Sequence, residues 1–99
     1  MMNNYEYEVK YSNNFKKSLK KVLKQGKDIS KLKNILSLLS SKKDLDARYR
    51  NHKLVNDKRF KDCWELHIEP DWLLVYKYLD DKLLLLLVDT GSHSEILDI

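Results

Sequence analysis

The sequence predicts an α+β fold. A small antiparallel sheet, made of an N-terminal strand and a C-terminal β-meander, carries a helical hairpin on one face (β-α-α-β-β-β). Three observations predict it. An alternating stretch opens the chain, two segments of helical apolar spacing follow, and three strand-like apolar runs with short turns close it.

The opening stretch "YEYEVKY" sets Tyr5, Tyr7, Val9 and Tyr11 against Glu6, Glu8 and Lys10, a period of two that gives a strand one buried face. Ser12 or Asn13 offers an oxygen to cap the helix that follows. That helix places Phe15, Leu19, Val22 and Leu23 on one side and Lys16, Lys17, Lys20, Lys21 and Lys24 on the other. Gly26 can take the left-handed conformation that ends it. Asp28 caps a second helix whose stripe is Ile29, Leu32, Ile35, Leu36 and Leu39, fraying near Ser40–Ser41. Residues 42–61 are polar and charged, a loop with room for one short strand. From Asp62 onward "CWELHI", "WLLVYKYL" and "KLLLLLV" read as consecutive strands. Pro70 cannot sit inside a sheet and marks the first bend, and Asp80–Asp81 marks the second. Leu83–Val88 is short and flanked by turns, which favours a central strand over a helix.

Ninety-nine residues make a single domain, 1–99, with one modest core. At 42% hydrophobic and 34% charged, the composition is that of a folded soluble protein. The longest strictly apolar run, Leu83–Val88, is far short of a membrane span, and no secretory signal opens the chain, so a cytoplasmic location without membrane contact is expected. Cys63 is the lone cysteine, which excludes an internal disulfide. Residues 1–50 carry thirteen Lys/Arg against five Asp/Glu, and residues 51–99 carry six against ten. A basic first half suits a polyanion such as RNA, or an acidic protein partner. A solvated lysine-rich helix is the plainer alternative.

All three histidines lie in the second half. His67 ends one strand, Asp71 begins the next, and His93 follows the last in "DTGSH". In a meander those three ends meet at one sheet edge. Two imidazoles and a carboxylate there could act as acid and base near neutral pH. Singly, each histidine is more simply a solvated or satisfied side chain, and Trp72 more simply core. His52 lies in the charged loop, and nothing in the pattern brings it in. Zinc held by His52, His67, Asp71 and His93 is a rival use, but the spacing matches no metal motif. Cys63 and His67 would share a strand face yet stand about 13 Å apart, too far for a nucleophile and its base.

The blocks "RYRNHKL", "HIEPDWLLVYKY" and "TGSHSEIL", after a lysine-rich helical pair, resemble the YafQ branch of the RelE/ParE toxin superfamily. The resemblance covers nearly the whole chain and implies a RelE-like fold. It implies a type II toxin that cleaves messenger RNA in the ribosomal A site without metal or other cofactor. A DinJ/RelB-like antitoxin would block the toxin and carry it to operator DNA. By position, it implies catalytic roles for His52, His67, Asp71 and His93, with Trp72 near the site. Arg50, Lys53, Lys16 and Lys20 are expected to meet the RNA.

The chain departs from this pattern. Asp89 stands where relatives usually carry an arginine ahead of the T-G-S-H block, and Cys63–Trp64 replaces an aromatic–arginine pair. Lys53 replaces a proline, and Leu97 a terminal phenylalanine. Losing one transition-state donor costs about 10²–10³ in rate. Two expectations follow: an active but weakened endoribonuclease, or an inactive homologue that still binds antitoxin and, through it, operator DNA.

Overall fold

The computed structural model describes residues 6–97. Tyr5, expected in the first strand, lies outside them. The elements are β1 (Glu8–Tyr11), α1 (Asn13–Lys24), α2 (Ile29–Ser40), β2 (His52–Lys53), β3 (Trp64–Glu69), β4 (Trp72–Leu79), β5 (Leu84–Gly91) and α3 (His93–Leu97). Short 3-10 turns occupy Ala47–Tyr49 and Asp80–Lys82. The strands form one sheet in the order β1-β5-β4-β3-β2.

Caps fall where the sequence places them. Ser12 Oγ accepts the N–H of Phe15 at 2.9 Å, and Asp28 Oδ1 accepts the N–H of Ser30 at 2.9 Å. Such caps satisfy N–H groups that a helix start otherwise leaves open, each worth about 1 kcal/mol. Gly26 adopts φ 87° at the end of α1. Phe15, Val22, Leu32, Ile35 and Leu39 from the two helices meet Leu66, Ile68, Trp72, Leu74, Tyr76, Leu85 and Leu87 of the sheet. Burying each such side chain contributes roughly 1.5–3 kcal/mol before entropy is counted.

Two features differ from the expected fold. The meander β3-β4-β5 is antiparallel, but β1 runs parallel to β5, with Val9 opposite Leu85, so the sheet is mixed. Parallel neighbours need a long connection, and the helical pair with the first two meander strands supplies it. As expected, β5 is a central strand, lying between β1 and β4, and β4 is the middle one of the five. Trp72 to Tyr76 are all buried, because both faces of β4 are covered. The second departure is α3. With the 54–63 loop it closes a second core of Phe60, Cys63, Leu73, Val75 and Ile96 on the far face. This α3 cover places His93.

Candidate active site

His67 on β3 lies opposite Leu73 on β4, and Leu73 lies opposite Gly91 on β5. One row across three strands therefore ends beside the first residue of α3. Ser92 and Glu95 form a reciprocal cap: the N–H of Ser92 donates to Glu95 Oε1 at 2.9 Å, and the N–H of Glu95 to Ser92 Oγ at 3.3 Å. Lys21 Nζ holds the other Glu95 oxygen at 2.8 Å, tying α3 to α1.

The result is the convergence that the topology predicts. His67 Nε2 stands 3.3 Å from His93 Nε2, with ring centroids 5.2 Å apart. Asp71 Oδ1 accepts both the backbone N–H of His93 at 2.8 Å and its ring Nδ1–H at 2.7 Å. Asp71 is therefore fully ionised at neutral pH: the His93 backbone bond first, then the ring bond, hold its carboxyl below the usual range. With Nδ1 occupied by that proton, a neutral His93 presents its lone pair at Nε2, toward His67. Burial is the main reason that the His67 imidazole loses its proton more readily than usual. Glu65 opposes this, while His93 and Arg50 add to it. Among the described residues, Nδ1 of His67 is buried without a hydrogen-bond partner of good geometry.

His52 comes closer than its sequence position suggested. On β2 it faces Glu65 of β3, with Nε2 3.6 Å from Glu65 Oε1. Among the described residues, no hydrogen bond links it to His67 or His93. Its Nδ1 bonds the carbonyl of Arg50 at 2.8 Å. Glu65 itself was missed by the sequence reading. It is 5% exposed, one Oε atom has no partner among the described residues, and it shares a face of β3 with His67 two residues on. A lone acid in an otherwise strand-like run, two residues before a site histidine, was the available signal.

Beside His67 a cleft of about 510 Å³ is lined by Lys31, Asn34, Arg48, Tyr49, Arg50 and Glu69, among others. Arg50, one of the expected RNA contacts, is among the residues lining this cleft. Lys53 lines a different hollow, with Val55 and Lys58, and Lys16 and Lys20 are exposed on α1, outside the histidine cleft. Trp72 needs correction as a substrate contact. It is 1% exposed, and its indole N–H donates to Thr90 Oγ1 at 2.9 Å. It props the strand end from the core, because β4 is covered on both faces. Asp89 accepts the Ser18 hydroxyl at 2.6 Å and the Thr90 N–H at 2.8 Å.

A family model described as the bacterial toxin of type II toxin–antitoxin system, YafQ, matches residues 7–98. The chain belongs to the YafQ toxin family. It is 40% identical to the mRNA interferase toxin YafQ of Escherichia coli strain B / BL21-DE3 over 91 residues, 90% of this chain and 94% of the relative. Two solved YafQ-like structures share the fold. A metal-bound toxin from Helicobacter pylori superposes with a TM-score of 0.84 at 36% identity, over 91% of this chain and 98% of the other. YafQ in the E. coli DinJ-YafQ complex gives 0.78 at 38% identity, over 92% and 98%. In this chain the Nε2 atoms of His67 and His93 face each other, one donating to the other. Among the described residues, no group of three His, Cys, Asp or Glu converges to hold an ion.

Proposed function

We propose that this chain cuts messenger RNA on the ribosome, with His67 and His93 as the proton-transfer pair; its relatives' names, mRNA interferase toxin, state the messenger-RNA part of this for them. The observation that carries this reading is two imidazole Nε2 atoms 3.3 Å apart, one ring braced by Asp71. RNA cleavage without metal needs a base for the 2′-hydroxyl proton and an acid for the departing 5′-oxygen. The 2′-oxygen bonds to phosphorus, the P–O5′ bond breaks, and a 2′,3′-cyclic phosphate and a 5′-hydroxyl result. Burial keeps His67 neutral at pH 7, which fits the base. His93, anchored at Nδ1 by an ionised carboxylate, fits the acid that delivers a proton from Nε2. Proton transfer by each positioned group is worth about 10²–10⁴-fold. At rest the rings hydrogen-bond each other, so the scissile phosphate must part them on entering. His52 supports the loop that carries Arg50.

The experiment is cleavage of a ribosome-bound message by the parent protein and by His67→Gln and His93→Gln. Both variants should fall at least 100-fold. A substrate with a 5′-bridging sulfur, whose leaving group needs no proton, should restore cleavage by His93→Gln alone. Equal rescue of both variants would reverse or remove the assignment.

A partner resembling DinJ is proposed as the antitoxin, with operator DNA reached through it, on the strength of the solved DinJ-YafQ relatives. No described helix is long and apolar enough to cross a membrane. One observation favours a second reading. Asp89 is held by Ser18 of α1 and by the Thr90 N–H, and a carboxylate at that position supplies no positive charge to a phosphate. An inactive protein that still binds its antitoxin would cut nothing in the assay above.

A further inference from the structure

We propose that Arg50 is the cation that meets the phosphate as its charge builds in the transition state. This rests on the ribonuclease reading of the same cleft. The other cations around the cleft are already engaged. Lys31 and Lys27 both hold Glu69, at 2.7 and 3.1 Å. The Arg48 guanidinium donates to the Tyr49 hydroxyl at 2.9 Å and lies over the same ring at 4.9 Å. Arg50 lines the cleft with His67 and, among the described residues, has no side-chain hydrogen bond or ion pair. Its positive charge already acts on His67, favouring the neutral ring. Two backbone bonds fix its place. Its N–H donates to the carbonyl of Ala47 at 3.0 Å, and its own carbonyl accepts His52 Nδ1–H at 2.8 Å. Between them the chain turns through φ 50° and ψ 44°, a left-handed conformation that side-chain-bearing residues rarely adopt. A guanidinium presents two parallel N–H groups to two phosphate oxygens, which a lysine cannot do.

Two measurements test the proposal. In single-turnover cleavage on programmed ribosomes, Arg50→Gln should lower the saturating rate about 100-fold. The half-saturating ribosome concentration should move less than threefold, and Arg50→Lys should recover at least tenfold of the lost rate. A saturating rate within threefold of the parent's overturns the proposal, as does a loss that vanishes at saturation. The second measurement needs no cleavage. A uridine–vanadate complex mimics the pentavalent phosphorus, and an uncleavable 2′-deoxy dinucleotide mimics the ground state; binding of each is followed by the histidine ring resonances. Arg50→Gln should weaken the vanadate complex at least tenfold and the dinucleotide less than threefold. Equal weakening of both, weakening of neither, or a parent protein that binds no vanadate complex overturns the proposal. A parent that binds vanadate selectively through Arg50 but leaves ribosomal messages intact would instead reject the ribosome-dependent reading and retain Arg50. Matching backbone spectra of parent and variants establish that each is folded.

Discussion

Asp71 makes two bonds through one oxygen, to the main chain and to the ring of His93, so it orients that ring twice over. Asp71→Asn can keep the backbone bond but loses the anion opposite Nδ1. Cleavage is expected to fall about 10²–10⁴-fold. Thermal unfolding should shift little, because the Asp71 side chain is 66% exposed and exposed ion pairs stabilise weakly. A calorimetric scan beside the cleavage assay checks both parts. His67 supplies a second prediction at this scale. Its folded pKa lies below the reference value of 6.5, chiefly from burial. Between the folded value and 6.5 the unfolded chain binds more protons than the folded one. Stability therefore rises with pH through that window, and this group adds no slope above it. Urea midpoints at pH 5.5, 6.5 and 7.5 should fall toward acid in the parent and flatten in His67→Gln. The lowered carboxyl pKa values of Glu69, Glu95 and Asp71 act further down, below their own reference values of 4.5, 4.5 and 3.8.

The element that sets the site is α3, only five residues long and too short to be stable alone. It is held by the Ser92–Glu95 cap, by Lys21 and by Ile96 in the far-face core. Gly91 allows the close approach: a Cβ there would stand 3.0 Å from Glu95 Oε1 and 3.4 Å from Glu95 Cβ, at φ +156°. Gly91→Ala should push Glu95 aside, weaken the cap and cost roughly 1–3 kcal/mol. The expected signature is a lower urea midpoint together with shifted His93 ring resonances. Unchanged resonances would separate His93 from the cap. This element shows where the sequence was readable. Period-two and period-three-to-four patterns named the strands and both long helices, and the meander brought His67, Asp71 and His93 to one edge. Helix α3 was missed although "SHSE" carries a capping box, because one turn of helix has too few apolar positions to show a period. His52 could not be placed because β2 pairs through two residues only, and that pairing depends on Glu65 across the strand rather than on local pattern. The parallel fit of β1 to β5 is likewise a tertiary choice that local pattern does not encode.

At the scale of the whole molecule, charge is divided between two surfaces. The exposed side of α1 carries Lys16, Lys17, Lys20 and Lys24, none of which has an ion pair among the described residues, while Lys21 is engaged by Glu95. These lysines lie outside the histidine cleft, so they can attract a polyanion without taking part in proton transfer. An acidic antitoxin segment and ribosomal RNA would both be drawn to this face, and would compete for it. Changing Lys16 and Lys20 together to Ser should weaken both partners several-fold at low salt. The effect should shrink as added salt shortens the screening length from about 10 Å at 0.1 M to about 3 Å at 1 M. Cleavage at saturating ribosome concentration should hold near the parent rate, since neither lysine reaches the imidazoles. Titrations of ribosome and of antitoxin at several salt concentrations decide the matter. An affinity independent of salt, or a saturating rate that falls with the double change, would assign the α1 lysines a different task from electrostatic capture.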